Sequence, residues 1–134
     1  GHISLAKIGK HANLLRQFDA PIMPLGPIPT DTAIGQDHIS AAIGAAFLCY
    51  HGCADIINCV TRYEHTGEEI TDEAIIESIK VMRVVAQTIN VYRGFESAID
   101  CEKSTNRLRV ENHSCVIGNG QCDRCHNVCP LKLI

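Results

Sequence analysis

Helical patterns alternate with short apolar runs in this sequence, and that alternation constrains the fold more than any other feature. Apolar residues recur at helical spacing in three segments: residues 5–18, the stretch that begins at Asp37, and the stretch that begins at Thr71. Two short apolar runs lie between them, at residues 21–26 and 55–60, and are predicted as strands. The resulting order, αβαβα, is typical of parallel α/β packing.

The length limits which α/β fold is possible. An eight-stranded barrel of alternating strands and helices needs about 250 residues, and the chain has 134. We therefore predict the C-terminal part of a TIM-type (βα)8 barrel over residues 1–93. The pattern over residues 95–109 predicts a shorter, more charged helix. Residues 94–134 are predicted as a helical linker followed by a cysteine-rich tail that binds an iron–sulfur cluster.

Charge and hydropathy exclude several classes of partner. Twelve Lys and Arg against fifteen Asp and Glu give a net charge of −3, without the basic excess of most proteins that bind nucleic acid or anionic membranes. No apolar run reaches the roughly 18–20 residues that a membrane-spanning helix needs. No signal peptide is visible at the first residues. We expect neither a nucleic-acid partner nor a membrane partner.

The eight cysteines are unevenly placed. Cys49, Cys53 and Cys59 lie in an apolar segment, where free cysteine usually packs as a small hydrophobic residue. A second group of cysteines lies in a polar tail, where Cys122, Cys125 and Cys129 fall within eight residues. This close spacing favours ligation of one iron–sulfur cluster over a disulfide framework.

Two alternatives for the tail stay open. Three thiolates on a four-iron cluster leave one iron free to bind a substrate or S-adenosylmethionine, whereas Cys115 could supply the fourth ligand of a ferredoxin-like cluster. The same four cysteines could instead hold a structural zinc ion, because tetrahedral zinc needs no open position.

Histidines supply a second set of candidates. His65 follows the predicted strand at residues 55–60, at the end where parallel sheets place catalytic groups. His2 lies 63 residues earlier, and no short spacing brings the two together. His38 directly follows Asp37 and could orient a neighbouring group.

Several motifs carry a resemblance to a known family. In chain order they are Gly1-His2-Ile3, Pro24-Leu25-Gly26-Pro27, Thr30-Asp31, Asp37-His38, Ile43-Gly44-Ala45-Ala46, Gly52-Cys53-Ala54 and Glu64-His65. With the three tail cysteines, they resemble the C-terminal third of the phosphomethylpyrimidine synthase family, thiamine-pathway enzymes that use S-adenosylmethionine radical chemistry. In that family four residues separate the last two cysteines, whereas Cys125 and Cys129 enclose three.

The resemblance implies a barrel followed by a tail that carries a 4Fe–4S cluster, in a lyase that converts aminoimidazole ribotide to hydroxymethylpyrimidine phosphate. It implies that His2 and His65 bind zinc or another divalent metal. The cluster would take an electron from a donor and reduce S-adenosylmethionine, and the adenosyl radical would abstract hydrogen from the ribotide. A cluster of this kind needs a reducing compartment, so a cytoplasmic location is expected.

The resemblance also bears on substrate and assembly. Met23 stands where the family usually has a substrate-touching tyrosine, and Met23 and Glu64 are expected to contact the substrate. A related hydroxybenzimidazole synthase that uses the same ribotide is an alternative activity, and a non-catalytic iron–sulfur or zinc module is an alternative of another class. Because the rest of the barrel would have to come from elsewhere or from a second copy, the 134-residue chain alone is expected to be inactive.

Overall fold

The structure, a computed structural model, describes residues 1–117, 122 and 124–132, which form two compact units, Gly1–Arg93 and Gly94–Ile134. The first unit contains three α-helices: α1 (Leu5–Leu15), α2 (Asp37–Tyr50) and α3 (Asp72–Tyr92). The second unit contains α4 (Glu96–Glu111) and two short 3-10 turns, His126–Val128 and Pro130–Lys132. All four predicted helices are therefore present, and α1 ends three residues before the predicted boundary.

The start of α3 shows how the sequence specifies a helix. The hydroxyl of Thr71 accepts a hydrogen bond from the backbone N–H of Ala74 at 3.3 Å, which satisfies one of the free donors of the first turn. Asp72 and Glu73 follow it, where negative charge is favourable beside the helix dipole. Of the apolar residues predicted to share one face of α3, Met82 and Ile89 are buried, whereas Ile75 and Ile79 in its first half are exposed.

The core of the first unit lies around α2, which packs against both α1 and α3. Ile8 from α1 and Leu48 from α2 have no exposed surface, and Ile28 and Val60 reach the same cluster from loops. Gly44 lets α2 approach the loop before it, because a Cβ atom there would lie 1.8 Å from the carbonyl oxygen of Pro27. The loops on both sides of α2 are thus fixed to one helix.

The prediction of an α/β barrel segment is wrong. In the described residues neither residues 21–26 nor residues 55–60 form a strand, and the architecture is all helical. Pro21 and Pro24 have no N–H to donate to a ladder. The two runs meet at one point, where Ile22 and Asp55 exchange backbone and carboxylate hydrogen bonds of 2.8 and 2.9 Å.

Apolar residues at 55–60 are buried against helices instead of against a sheet. Val60 is 2% exposed in the helical core, so a loop segment can satisfy the same hydrophobic pattern that predicts a strand. Within the part of the chain that the structure describes, the one β-type pairing is an isolated parallel bridge between His2 and Ile28. The N–H of Ile3 donates to Ile28 at 3.2 Å, and the N–H of Ile28 donates to Gly1 at 3.2 Å.

The second unit is much less buried. Among its described residues, only Ala98, Ser114 and Cys129 are buried. The imidazole of His113 contacts the backbone carbonyl of Leu131 at 2.7 Å, which links the end of α4 to the last 3-10 turn. No helix over the described ranges of either unit is long and apolar enough to cross a membrane.

Candidate functional site

Two histidines that are far apart in the chain meet in the first unit. His2 is fixed by its bridge to Ile28, and His65 lies in the loop that follows the buried Val60. Their Nε2 atoms are 2.9 Å apart, and their ring centroids are 4.7 Å apart with the rings at 72°. The structure therefore brings together the two residues for which the sequence resemblance implied a common metal. We refer to them as the histidine pair.

Each ring of the histidine pair also contacts a carboxylate. The Nδ1 atom of His65 lies 2.7 Å from Oδ1 of Asp37, the first residue of α2. The Nδ1 atom of His2 contacts Oδ1 of Asp31 in the loop before that helix. A carboxylate can only accept a hydrogen bond here, so each Nδ1 carries the proton. In the neutral imidazole the opposite nitrogen, Nε2, then carries a lone pair.

This arrangement leaves two lone pairs facing each other across 2.9 Å. Two acceptors cannot form a hydrogen bond with each other, so this contact requires either a proton on one of the two nitrogens or a cation that both share. Neutral imidazole nitrogens are ligands for zinc and ferrous iron, and a ligating histidine commonly donates its other N–H to a carboxylate. The donor set therefore fits a divalent metal.

Burial differs between the two halves of the site. The side chain of Asp37 is 4% exposed and that of Asp31 is 80% exposed. The second oxygen of Asp37, Oδ2, is buried and has no hydrogen-bond partner. The side chains of His2 and His65 are 47% and 34% exposed, so the pair lies at the surface of the first unit.

The loop that carries His65 is also tied to α3. Arg62 donates to Glu77 through Nε at 2.7 Å, and its terminal nitrogen contacts the same oxygen. That hydrogen bond, with the attraction between the two charges, raises the pKa of Arg62 and lowers the pKa of Glu77. The buried His38 lies 3.8 Å from the other oxygen of Glu77, so the neighbour it faces is on α3.

The described residues do not complete a metal site from side chains alone. No group of three or more His, Cys, Asp or Glu side chains among them could hold an ion. The histidine pair is thus a two-ligand site, which leaves the remaining coordination positions for water, substrate or other protein groups.

The tail cysteines do not meet in this way. Cys122 is half-buried, Cys125 is exposed and Cys129 is buried, with a 3-10 turn between the last two. Cys115 is exposed, and all eight thiols of the chain are free. The described part of the tail does not gather a metal-binding group. What fits a cluster is the chemistry and spacing of the thiols, and the geometry shown does not assemble one.

The mid-chain cysteines behave mostly as expected. Cys49 and Cys53 are buried in the helical core, which confirms the core prediction, and burial raises the pKa of the Cys49 thiol. The prediction is wrong for Cys59, which is exposed. Both expected substrate contacts are at the surface, since Met23 is 56% exposed and Glu64, next to His65, is exposed.

Sequence reasoning missed the two carboxylates of the site. The sequence analysis gives Asp37 as the start of a helical stretch and Asp31 as part of a family motif, and assigns neither a role at the histidines, yet each contacts one ring of the histidine pair. A usable signal existed, because a metal-binding histidine commonly pairs its second ring nitrogen with a carboxylate. Nothing in the spacing identifies which aspartate that is.

Comparisons with known proteins agree with the resemblance. The model of the radical SAM ThiC family matches residues 1–119. Over its whole length the chain is 31% identical to a phosphomethylpyrimidine synthase from Carboxydothermus hydrogenoformans and 38% identical to one from Pyrococcus furiosus, covering 36% and 35% of those proteins. It is 28% identical to a 5-hydroxybenzimidazole synthase BzaA from Eubacterium limosum, again covering 36%. The chain therefore spans about a third of the length of these relatives.

Proposed function

Because the chain belongs to the radical SAM ThiC family, we propose that it acts as part of a phosphomethylpyrimidine synthase, a lyase that converts aminoimidazole ribotide to hydroxymethylpyrimidine phosphate. The observation that carries this proposal is the histidine pair, whose Nε2 atoms lie 2.9 Å apart although 63 residues separate them. The family match covers both histidines, and relatives at 31% and 38% identity carry that enzyme name.

In this proposal, His2 and His65 bind zinc or another divalent cation. Such a cation, if bound there, would act as a Lewis acid toward an oxygen of the substrate. Both histidines are partly exposed, so a substrate can approach them, and Met23 and Glu64 are the proposed substrate contacts. Both side chains are exposed, so a substrate at the surface can reach them.

The tail supplies the second proposed group. Cys122, Cys125 and Cys129 would hold a 4Fe–4S cluster, which supplies electrons for the cleavage of S-adenosylmethionine and itself needs an electron donor. Their spacing and their free thiols support this assignment. Cys115 is proposed not to bind the cluster, because a radical enzyme of this kind needs one iron without a protein ligand. Free thiols and a cluster are both typical of a reducing compartment, so a cytoplasmic location is proposed.

A metal analysis tests the histidine pair. The unaltered chain and His65→Gln are each reconstituted anaerobically with iron, sulfide and zinc. We expect His65→Gln to contain about one equivalent of zinc less, because the substitution removes one ligand of the pair. His11→Gln is the matched control, since His11 lies in α1 and not in the two segments that carry the pair. An unchanged zinc content in His65→Gln contradicts the proposed metal site.

A second measurement tests the tail. The reconstituted chain should show broad charge-transfer absorption that reduction bleaches, and Cys125→Ala should abolish it. Cys101→Ala, an exposed cysteine in α4, should leave it unchanged. Cys115→Ala distinguishes three ligands from four, because its loss of absorption would indicate a ferredoxin-like cluster. Zinc without iron in anaerobically purified protein would support the non-catalytic zinc module instead.

Turnover tests the activity itself. We expect no product from the 134-residue chain alone, because about two-thirds of the length of the relatives is absent, with the groups there that hold reacting atoms within about 3–3.5 Å. In a protein of the relatives' full length we expect 5′-deoxyadenosine together with a pyrimidine product. A benzimidazole product would instead favour the activity named for the Eubacterium limosum relative.

A further inference from the structure

The two aspartates of the site place the proton on a defined nitrogen of each histidine. His65 Nδ1 lies 2.7 Å from Asp37, and His2 Nδ1 contacts Asp31. Which ring nitrogen of a histidine carries the proton is set by the hydrogen bond that the ring makes on that side. If Nε2 carried the proton in both rings, two N–H groups would point at each other across 2.9 Å. Only the Nδ1–H form leaves both facing nitrogens free to bind a cation.

We propose that Asp37 and Asp31 are positioning residues that hold His65 and His2 with the proton on Nδ1 and so present both Nε2 lone pairs to one divalent cation. This inference rests on the metal site proposed above and adds to it the two residues that orient the ligands. Neither aspartate needs to touch the metal. Each acts through the ring that it contacts.

The unsatisfied oxygen of Asp37 supports the proposal independently. Its side chain is 4% exposed and Oδ2 has no hydrogen-bond partner. A buried carboxylate with a free oxygen is costly unless positive charge lies nearby. His65 lies between Asp37 and the facing nitrogen of His2, so a cation shared by the two nitrogens would supply that charge through the imidazole. A cation bound at Nε2 of His65, opposite the nitrogen that contacts Asp37, would thus account for the buried carboxylate.

The two aspartates should contribute unequally. Asp37 is the first residue of α2 and is buried, so its carboxylate is held in one place. Asp31 lies in a loop with its side chain 80% exposed, where water competes for the same hydrogen bond. We therefore expect the Asp37 to His65 contact to dominate and the Asp31 to His2 contact to be weaker.

Long-range 1H–15N NMR of histidine-labelled chain tests the proposal without metal. At pH 8, His65 should carry its proton on Nδ1, and Asp37→Asn should shift the population toward the Nε2–H form. Asp72→Asn is the matched control, because Asp72 is the first residue of α3 and is exposed. It should leave His65 unchanged. A proton on Nε2 in the unaltered chain, or no response to Asp37→Asn, overturns the proposal.

Zinc titration followed on the same resonances gives the second readout. Loss of an outer carboxylate partner typically weakens metal binding about 10- to 100-fold, and we expect a weakening in that range at His65 Nε2 for Asp37→Asn. Asp31→Asn, a surface change that should not disturb folding, should weaken binding at His2 less than 10-fold. Equal zinc affinity in all variants overturns the positioning role.

The two proposals fail in different ways. If zinc shifts neither Nε2 resonance of the unaltered chain, the proposed metal site is wrong, while the metal-free proton positions still decide whether Asp37 orients His65. If zinc binds the histidine pair equally well in Asp37→Asn, the metal site stands and the positioning role is wrong. The resonances are specific to each histidine, so zinc bound by the eight cysteines does not obscure either result.

Discussion

The first unit, Gly1–Arg93, and the second unit, Gly94–Ile134, differ in how they hold their candidate metal ligands. In the first unit a buried core surrounds α2, and His2 meets His65 across 63 residues of chain. In the second unit the candidate ligands are close in sequence, yet the described residues gather no metal-binding group and include few buried side chains.

The difference separates two ways of building a site. Ligands that are distant in sequence meet only where packing fixes the loops that carry them, so the free energy of the core maintains the histidine pair. Ligands that are near in sequence can be ordered by the metal itself, because metal binding and local folding are coupled. We therefore expect the first site to depend on packing and the second to depend on its metal or cluster.

The largest effect should come from removing a core side chain in the first unit. Leu48→Ala should lower the free energy of unfolding by about 2–5 kcal/mol, because Leu48 has no exposed surface and its loss leaves a cavity. Leu108→Ala in α4 is the matched substitution in the second unit, where Leu108 is 42% exposed, and should cost under about 1 kcal/mol. Urea denaturation of both variants checks this, and equal losses would remove the contrast between the units.

A smaller loss of stability is expected from adding a side-chain atom where α2 contacts the loop before it. A Cβ at Gly44 would lie 1.8 Å from Pro27 O, so Gly44→Ala must displace backbone. Overpacking costs about 1–3 kcal/mol, of which better helix propensity recovers under about 1 kcal/mol. Gly9→Ala in α1 is the control, because its nearest neighbour is the movable ring of His51 at 3.2 Å. Stability equal to or above that of the unaltered chain in Gly44→Ala would contradict the tight approach.

Helix capping should have a still smaller effect. Thr71→Ala removes the side-chain hydrogen bond to Ala74 and should cost about 1 kcal/mol by thermal denaturation. Ser4 holds the corresponding position before α1 and makes no side-chain capping bond, so Ser4→Ala should change stability very little. The reverse order of the two variants would show that the cap does not stabilise α3.

These helices could be predicted from the sequence because their signals are local. The hydroxyl of Thr71, the acidic residues after it and the apolar stripe up to Ile89 lie within one segment. The cap and the acidic first turn match the structure, and the second half of the stripe is buried, although Ile75 and Ile79 are exposed. The strand predictions were wrong because an apolar run predicts burial but does not identify the element against which it packs. Residues 55–60 bury Val60 against helices, with no neighbouring strand in the described residues.

The candidate site was predictable only in part. His2 and His65 were paired through resemblance, since nothing in a separation of 63 residues brings them together. Asp37 was recognised as a helix-start residue, but its contact with His65 depends on where the loop after Val60 lies against α2. That position is set by packing among α1, α2 and α3, which a pattern along the chain does not contain.

The smallest expected change in stability comes from breaking an ion pair, of which each unit offers one for comparison. The contact with Arg62 lowers the pKa of Glu77 below its ordinary value of 4.5, so this pair stabilises the fold above that pH. The contribution should disappear as the pH falls through the lowered pKa, because Glu77 then takes up a proton and loses its charge. Both groups are partly exposed, and salt should weaken the pair.

The measurement is the difference in Tm between the unaltered chain and Glu77→Gln from pH 7 to pH 3. We expect a small positive difference at pH 7 that decreases as the pH falls through the lowered pKa of Glu77. Glu111→Gln is the matched control in the second unit, where Arg107 and Glu111 form an exposed pair at 3.8 Å on α4. That pair links residues of one helix, whereas Arg62 and Glu77 join the loop that carries His65 to α3. Glu77→Gln should therefore also broaden or shift the His65 ring resonances at pH 7, and unchanged resonances would show that the ion pair does not help to hold the histidine.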